Sequence, residues 1–369
     1  MKTPLLLLAS FLVGSSVAWS ADSYLKHPIK GDPALASIGP IALGPHGLLL
    51  IAEPLAAAIV AVETGDGAGS AKLTRTVEDA GATIAAALKT TADQIQIVDM
   101  AAGAKIYFSV KNNAAKNVAI VTVDAAGQAA VLDLAALPHV RVTLPKSEAG
   151  PIKNISDLAF ARDRVLLTGQ SNEEFSSKIF SIPLPLSADS AGSIFSAETY
   201  HVAHRKWETK APIQSFIPYD DRGKLSIVGA FACTPIAKFP IADLSSGANV
   251  RGTSVVELGS GNRPLDLFSY ANAKGAWIVT NTLRFHQPLF GSSKYWGVRV
   301  SADFLSRDTP EQINEQAARR DVKQKSGPDG IEIMDSLSGA VHIARLDDAT
   351  MAVLRESGDK FKIETAPLP

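Results

Sequence analysis

The chain contains a single cysteine, Cys233, in 369 residues, which excludes a disulfide framework, a CxxC zinc site and a c-type haem attachment motif. Surplus charge is also lacking. Against 36 Lys and Arg stand 37 Asp and Glu, and the net charge of −1 gives no basic surface for a nucleic acid. There is no glycine-rich phosphate loop, which argues against nucleotide-dependent chemistry. There is no G-x-S-x-G elbow either, although a Ser-His-Asp triad needs only adjacency in space. Beyond residue 20 no apolar run is long enough to span a bilayer. What the chain does have is 46% hydrophobic and 20% charged residues, too apolar for a disordered polymer and sufficient for a large core.

The first twenty residues read as a secretory signal. Lys2 precedes an apolar run from Leu5 to Val13, and small residues follow, with Ala18 and Ser20 at the −3 and −1 positions of a cut before Ala21. No cysteine sits at the cut to carry a lipid, so the expected product is a periplasmic or secreted protein without a membrane span.

An internal repeat organises the remainder. An alternating segment, a polar turn and a second run of β-formers recur six times. The copies are IALGPHG-LLLIAE from Ile41, IVDMAAGAK-IYFSVK from Ile97, DLAFARDR-VLLTGQ from Asp157, SFIPYDDRGK-LSIVGA from Ser215, LFSYANAKGA-WIVTNT from Leu267 and VHIARLDDAT-MAVLRE from Val341. Their second strands, aligned at Leu48, Ile106, Val165, Leu225, Trp277 and Met351, are spaced by 58, 59, 60, 52 and 74 residues. Third strands follow, such as Ala58 to Glu63 and Lys360 to Ala366, and most units have a fourth, at Lys72 to Glu78, His139 to Pro145, Ala197 to Ala203 and Thr253 to Gly259.

Four antiparallel strands per unit resemble the blades of the β-propeller superfamily across nearly the whole mature length. The expected fold is therefore all-β, a six-bladed β-propeller, with seven blades as the alternative, forming one domain over residues 21–369. The resemblance is one of architecture. The chain has neither the Trp-Asp dipeptide of WD repeats nor the paired glycines of kelch repeats, nor the tryptophan-docking pattern of quinoprotein alcohol dehydrogenases, so it implies no catalytic residues. The sixth unit ends at its third strand, and the stretch Tyr24 to Ile29 is expected to complete it and close the ring. The long 74-residue interval holds Thr309 to Lys325, which reads as an inserted amphipathic surface helix, with Thr309 and Gln312 as a capping box and Pro310 at its first position.

In propellers the loops after the second strands and before the first strands meet at one mouth of the channel, where, as the resemblance implies, ligands bind. There the chain offers Lys210, Arg263, Asn281, Arg284 and Phe285, charged groups and a rigid ring suited to a protein, glycan or small-molecule ligand. A mouth residue such as Asn281 is expected to be replaceable by alanine within about 1 kcal/mol. A second reading is a calcium-type lactonase or esterase, faintly similar to gluconolactonases, with Glu53, Asn172 and Asn281 as hard oxygen ligands and Glu173 or Glu208 as base. A third is a redox or copper-handling accessory protein using Cys233 and His286. His201 and His204 form an H-x-x-H pair, but a spacing of three along a strand puts them on opposite faces, so they are not expected to share a ligand. Whether the site is catalytic is open at this level.

Overall fold

The computed structural model describes residues 24–67, 69–202, 204–232, 235–242, 244–259, 261–288, 291–306, 317–319 and 329–369. The segment expected to be a signal and Cys233 lie outside the described residues, as does most of the stretch expected to be helical at 309–325. Within that stretch Ala318–Arg319 is a short strand, parallel to Val256–Glu257, rather than helix.

Six antiparallel sheets surround a central channel, making the protein a six-bladed β-propeller. In chain order the first blade comprises Ile41–Leu43, Leu48–Glu53, Ala58–Glu63 and His139–Thr143, and the second Ile95–Ala102, Ile106–Asn112, Asn117–Val123 and Ala129–Val131. The third contains Asn154–Ala161, Arg164–Gln170, Ser177–Pro183 and Ser193–His201, the last of which also pairs with Lys206–Glu208 and Asn249–Arg251. Ile213–Asp221, Lys224–Phe231, Pro235–Pro240 and Thr253–Glu257 form the fourth. The fifth is Asn262–Asn272, Gly275–Arg284, Tyr295–Ser301 and Ile331–Met334, and the sixth Ala340–Arg345, Thr350–Ser357 and Lys360–Pro367. Each hairpin follows the alternation in its sequence, and the middle strands, covered on both faces, are the most apolar: Leu48–Glu53 is buried throughout.

The blades do not follow one another around the ring in chain order. Apolar clusters join the first blade to the third, the third to the fourth, the fourth to the fifth and the fifth to the sixth. The second blade closes the circle, packing on the sixth through Phe108, Leu354 and Ile363, and on the first through Tyr107, Ile51 and Val60. The chain thus lays down three strands of the first blade, steps back to build the second, and returns to add His139–Thr143 as the first blade's outer strand.

Two expectations change accordingly. His139–Thr143 completes the first blade, not the second. Tyr24–Ile29 does not close the ring: Leu25 bridges Leu186 and Ile29 bridges His139, on the outside of the first and third blades. The open edge of the sixth blade is met instead by the segment expected as the first unit's fourth strand. Val77 and Ile363 exchange hydrogen bonds of 2.9 and 3.0 Å, and Leu73 donates to Thr365 Oγ1 at 2.9 Å. A helix, Ala80–Ala87, follows at once. Asp79 caps it by accepting from Ala82, and Ala80 and Ile84 enter the seam between the second and sixth blades.

If this segment is the closure, Val77→Pro, which removes the donor to Ile363, is expected to cost roughly 2–4 kcal/mol in urea unfolding. Unchanged stability would show that the ring holds without it.

Candidate functional site

The innermost strand of each blade has one edge without a ladder partner, so its channel-facing N–H groups need acceptors from elsewhere. Five of the six inner strands carry a β-bulge at the same depth, at register breaks near Val98, Ser156, Gln214, Asp266 and Val341. A bulge re-aims the neighbouring side chains. Here it turns Asp99, Asp157, Asp266 and His342 towards a central cavity of about 460 Å³ bordered by all six inner strands.

Three aspartates supply the missing acceptors in a repeating way. Asp99 of the second blade accepts the Ile41 N–H of the first at 2.8 Å. Asp157 of the third accepts the Phe216 N–H and the Ser215 hydroxyl of the fourth, each at 2.8 Å. Asp266 of the fifth accepts the Ile343 N–H of the sixth at 2.9 Å. Alternate seams around the ring are therefore latched by the same contact in the same direction, giving the channel an approximate threefold pattern within a six-bladed ring.

The second oxygen of Asp157 accepts the Leu158 N–H at 2.7 Å, whereas those of Asp99 and Asp266 meet His342. His342 Nδ1 lies 3.1 Å from Asp266 Oδ1 and 3.7 Å from Asp99 Oδ1. Burial alone would favour the neutral imidazole, but the two carboxylates outweigh it and raise His342 to about 9. Asp99 is pushed up to about 6, chiefly by burial, with His342 opposing and Asp266 adding to the rise. Asp157 is raised further, to about 8, by burial with a smaller contribution from Asp99 and against the Phe216 N–H. Among the described residues no cation pairs with it. The surroundings thus favour the protonated forms of both His342 and Asp157. Asn154, Ser156, Gln170, Gln214, Arg263 and Arg345 add donors and acceptors around this centre. Asp99, Asp266 and His342 place ligand atoms within 4.8 Å of one another and are one of two groups among the described residues that could hold a metal ion.

Of the residues expected at the mouth, only Arg263 borders this cavity, donating to Gln214 Oε1 at 2.7 Å across the fourth and fifth blades. Lys210 pairs with Glu174 at 3.1 Å on the surface. Arg284 donates to the Gln287 carbonyl at 2.9 Å, and Phe285 and His286 are exposed beside it.

The expected calcium ligands sit in separate places. Glu53 is buried, paired with Arg141 and bonded to the Ala36 N–H. Asn172 is exposed on a third-blade loop. Asn281 is fully buried and holds the fifth blade to the sixth: Oδ1 accepts from Asp266 N at 2.9 Å, and Nδ2 donates to the Ala340 and Val341 carbonyls at 3.1 and 2.9 Å. Neither expected base has the character of one. Burial raises Glu173, but Lys178 at 2.6 Å, the Ser147 hydroxyl and the Ala149 N–H together outweigh it and hold the carboxyl at about 2. Glu208 lies at the outer edge of the third blade, where burial is outweighed by His204 and Lys206 and the carboxyl is held low.

His201 and His204 do not lie on opposite faces of one strand. The strand ends at His201, and the turn that follows, with Arg205 at φ +52°, brings the two rings to a centroid separation of 4.0 Å.

The central aspartates were not singled out from the sequence. Their signal was present: IVDMA, ISDLA and PLDLF each place one aspartate within a mostly apolar first strand, where aspartate is disfavoured.

No protein-family model and no curated protein matches the chain. Among solved structures it is similar to the PQQ-bound aldose sugar dehydrogenase from Streptomyces coelicolor, at 13% identity over 93% of this chain and 97% of that one, with a TM-score of 0.36. It is similar to Bacteroides ovatus xyloglucan PUL GH43B at 12% identity over 73% of this chain, TM-score 0.35, and covers 51% of that protein, about half its length. Similarity to the α-L-arabinofuranosidase from Lactobacillus brevis is 12% over 72% of this chain and 87% of that one, TM-score 0.35. Likeness at this level carries no residue role to this chain.

Proposed function

We propose that the protein is an exported binding module that takes a small polyhydroxylated ligand, a sugar or sugar-like molecule, in the central cavity. The observation that carries this reading is the central cavity of about 460 Å³, into which three blades bring Asp99, Asp157 and Asp266 beside Gln170, Gln214, Arg263 and Arg345. Hydroxyl groups both donate and accept, and this cavity offers carboxyl, imidazole, amide and guanidinium groups within one small volume. No helix of the described residues is long and apolar enough to cross a membrane.

The test is calorimetric titration with a panel of neutral mono- and disaccharides, with organic cations and anions for comparison. Saturable binding of a sugar is expected, lost in Asp157→Ala and retained in Arg284→Ala and Phe285→Ala. Loss in the latter pair with retention in Asp157→Ala would move the ligand to the outer loops.

The higher proton affinity of Asp157 than of Asp99 favours a second reading, hydrolysis of a glycosidic or ester bond with Asp157 as general acid and Asp99 as its ionised counterpart. Release of reducing ends or acid from a bound ligand, abolished in Asp157→Asn while binding persists, would select it.

A further inference from the structure

We propose that His201, His204 and Glu208 form a zinc-class metal site on the outer edge of the third blade, remote from the central cavity. The three come from one short hairpin, between the end of Ser193–His201 and the strand Lys206–Glu208, whose pairing of His201 with Lys206 fixes the turn. Their ligand atoms all lie within 4.8 Å of one another. Glu208 Oε1 is 2.9 Å from His204 Nδ1 and 3.9 Å from His201 Nδ1. These separations bracket the edge of roughly 3.3 Å that a tetrahedron with zinc bonds of about 2.0 Å requires, so small side-chain rotations suffice.

A second observation supports a metal over a simple ion-pair cluster. His201 is buried, and its other nitrogen, Nε2, faces the buried carboxylate of Glu257 at 3.6 Å. Glu257 is itself held by the Val202 N–H at 2.8 Å. A carboxylate on that side of the ring favours the proton on Nε2, which directs the Nδ1 lone pair towards Glu208 and His204, the sense in which carboxylates support metal-bound histidines. Lys206, the cation nearest Glu208 at 3.5 Å, is mostly exposed and can swing into water when a metal takes its place. Two imidazoles and one carboxylate suit zinc better than calcium, and three protein ligands leave a fourth position for water.

The test is titration of chelator-treated full-length protein with zinc against a chromogenic competitor, together with thermal melts with and without zinc. One equivalent is expected to bind and raise the melting temperature. His204→Ala and Glu208→Gln, both at partly or fully exposed side chains, are expected to weaken binding by on the order of 100-fold, whereas His342→Gln in the central cluster leaves it unchanged. Undiminished zinc binding in both hairpin variants, loss confined to His342→Gln, or no zinc binding by the unmodified protein would each overturn the proposal. Because none of these outcomes depends on a sugar ligand, failure here and failure of the central-cavity reading are separately visible.

Discussion

Asn281→Ala is expected to lower stability by roughly 3–5 kcal/mol, a large share of the 5–15 kcal/mol that holds a typical domain together. The side chain is fully buried, and all three of its bonds go to backbone: one to Asp266 within its own blade and two to Ala340 and Val341 of the next. It fills the place opposite the fifth blade's bulge, where the ladder cannot pair. Alanine takes away the side-chain partner of one N–H and two carbonyls at this seam. Asn281→Asp is expected to be worse, since a carboxylate would then face two carbonyl oxygens. Urea midpoints of the two variants decide the matter, and a loss within 1 kcal/mol for alanine would return Asn281 to the role of a replaceable loop residue.

Stability is expected to fall as pH rises from about 4 to 9, and Asp157→Asn is expected to remove much of that slope below pH 8. The unfolded chain releases the Asp157 proton near pH 4, whereas the folded protein keeps it to about 8. Across that window the folded state binds more protons, so each pH unit weakens folding by at most about 1.4 kcal/mol, less where solvent reaches the carboxyl. Asp99, raised to about 6, acts in the same direction between about pH 4 and 6. His342, raised to about 9, contributes stability that is fully present below pH 6.5 and lost through pH 9. All three signs agree. Asparagine keeps an acceptor for Phe216 and Ser215 and has no proton to lose, so the variant is expected to gain a few kcal/mol relative to the parent at pH 8 and to change little at pH 4. Parallel slopes for the two proteins in melts from pH 4 to 9 would refute the raised carboxyl.

Local pattern located the six central hairpins. The six second strands observed contain the aligned residues Leu48, Ile106, Val165, Leu225, Trp277 and Met351, because a covered strand must be apolar and a tight hairpin needs its turn residues in place, as with Gly223 at φ +88°. Which blade receives an outer strand was beyond that pattern. His139–Thr143 alternates equally well against either neighbour, and only the return of the chain across the first blade, with Arg141 meeting the buried Glu53, selects its partner. The same holds for closure by Val77 rather than by Tyr24 to Ile29.

The site divides in the same way. The repeat pointed to a six-bladed ring with its ligand at the mouth loops, and the aspartates of IVDMA, ISDLA and PLDLF stood in the sequence as charged residues in β-forming segments. That they converge and latch alternate seams, and that burial there raises the proton affinity of Asp99 and Asp157, was decided by the tertiary structure. Residues 99, 157, 266 and 342 are brought to the border of one cavity only when the ring closes, and the burial and neighbouring charges that shift Asp99, Asp157 and His342 exist only there.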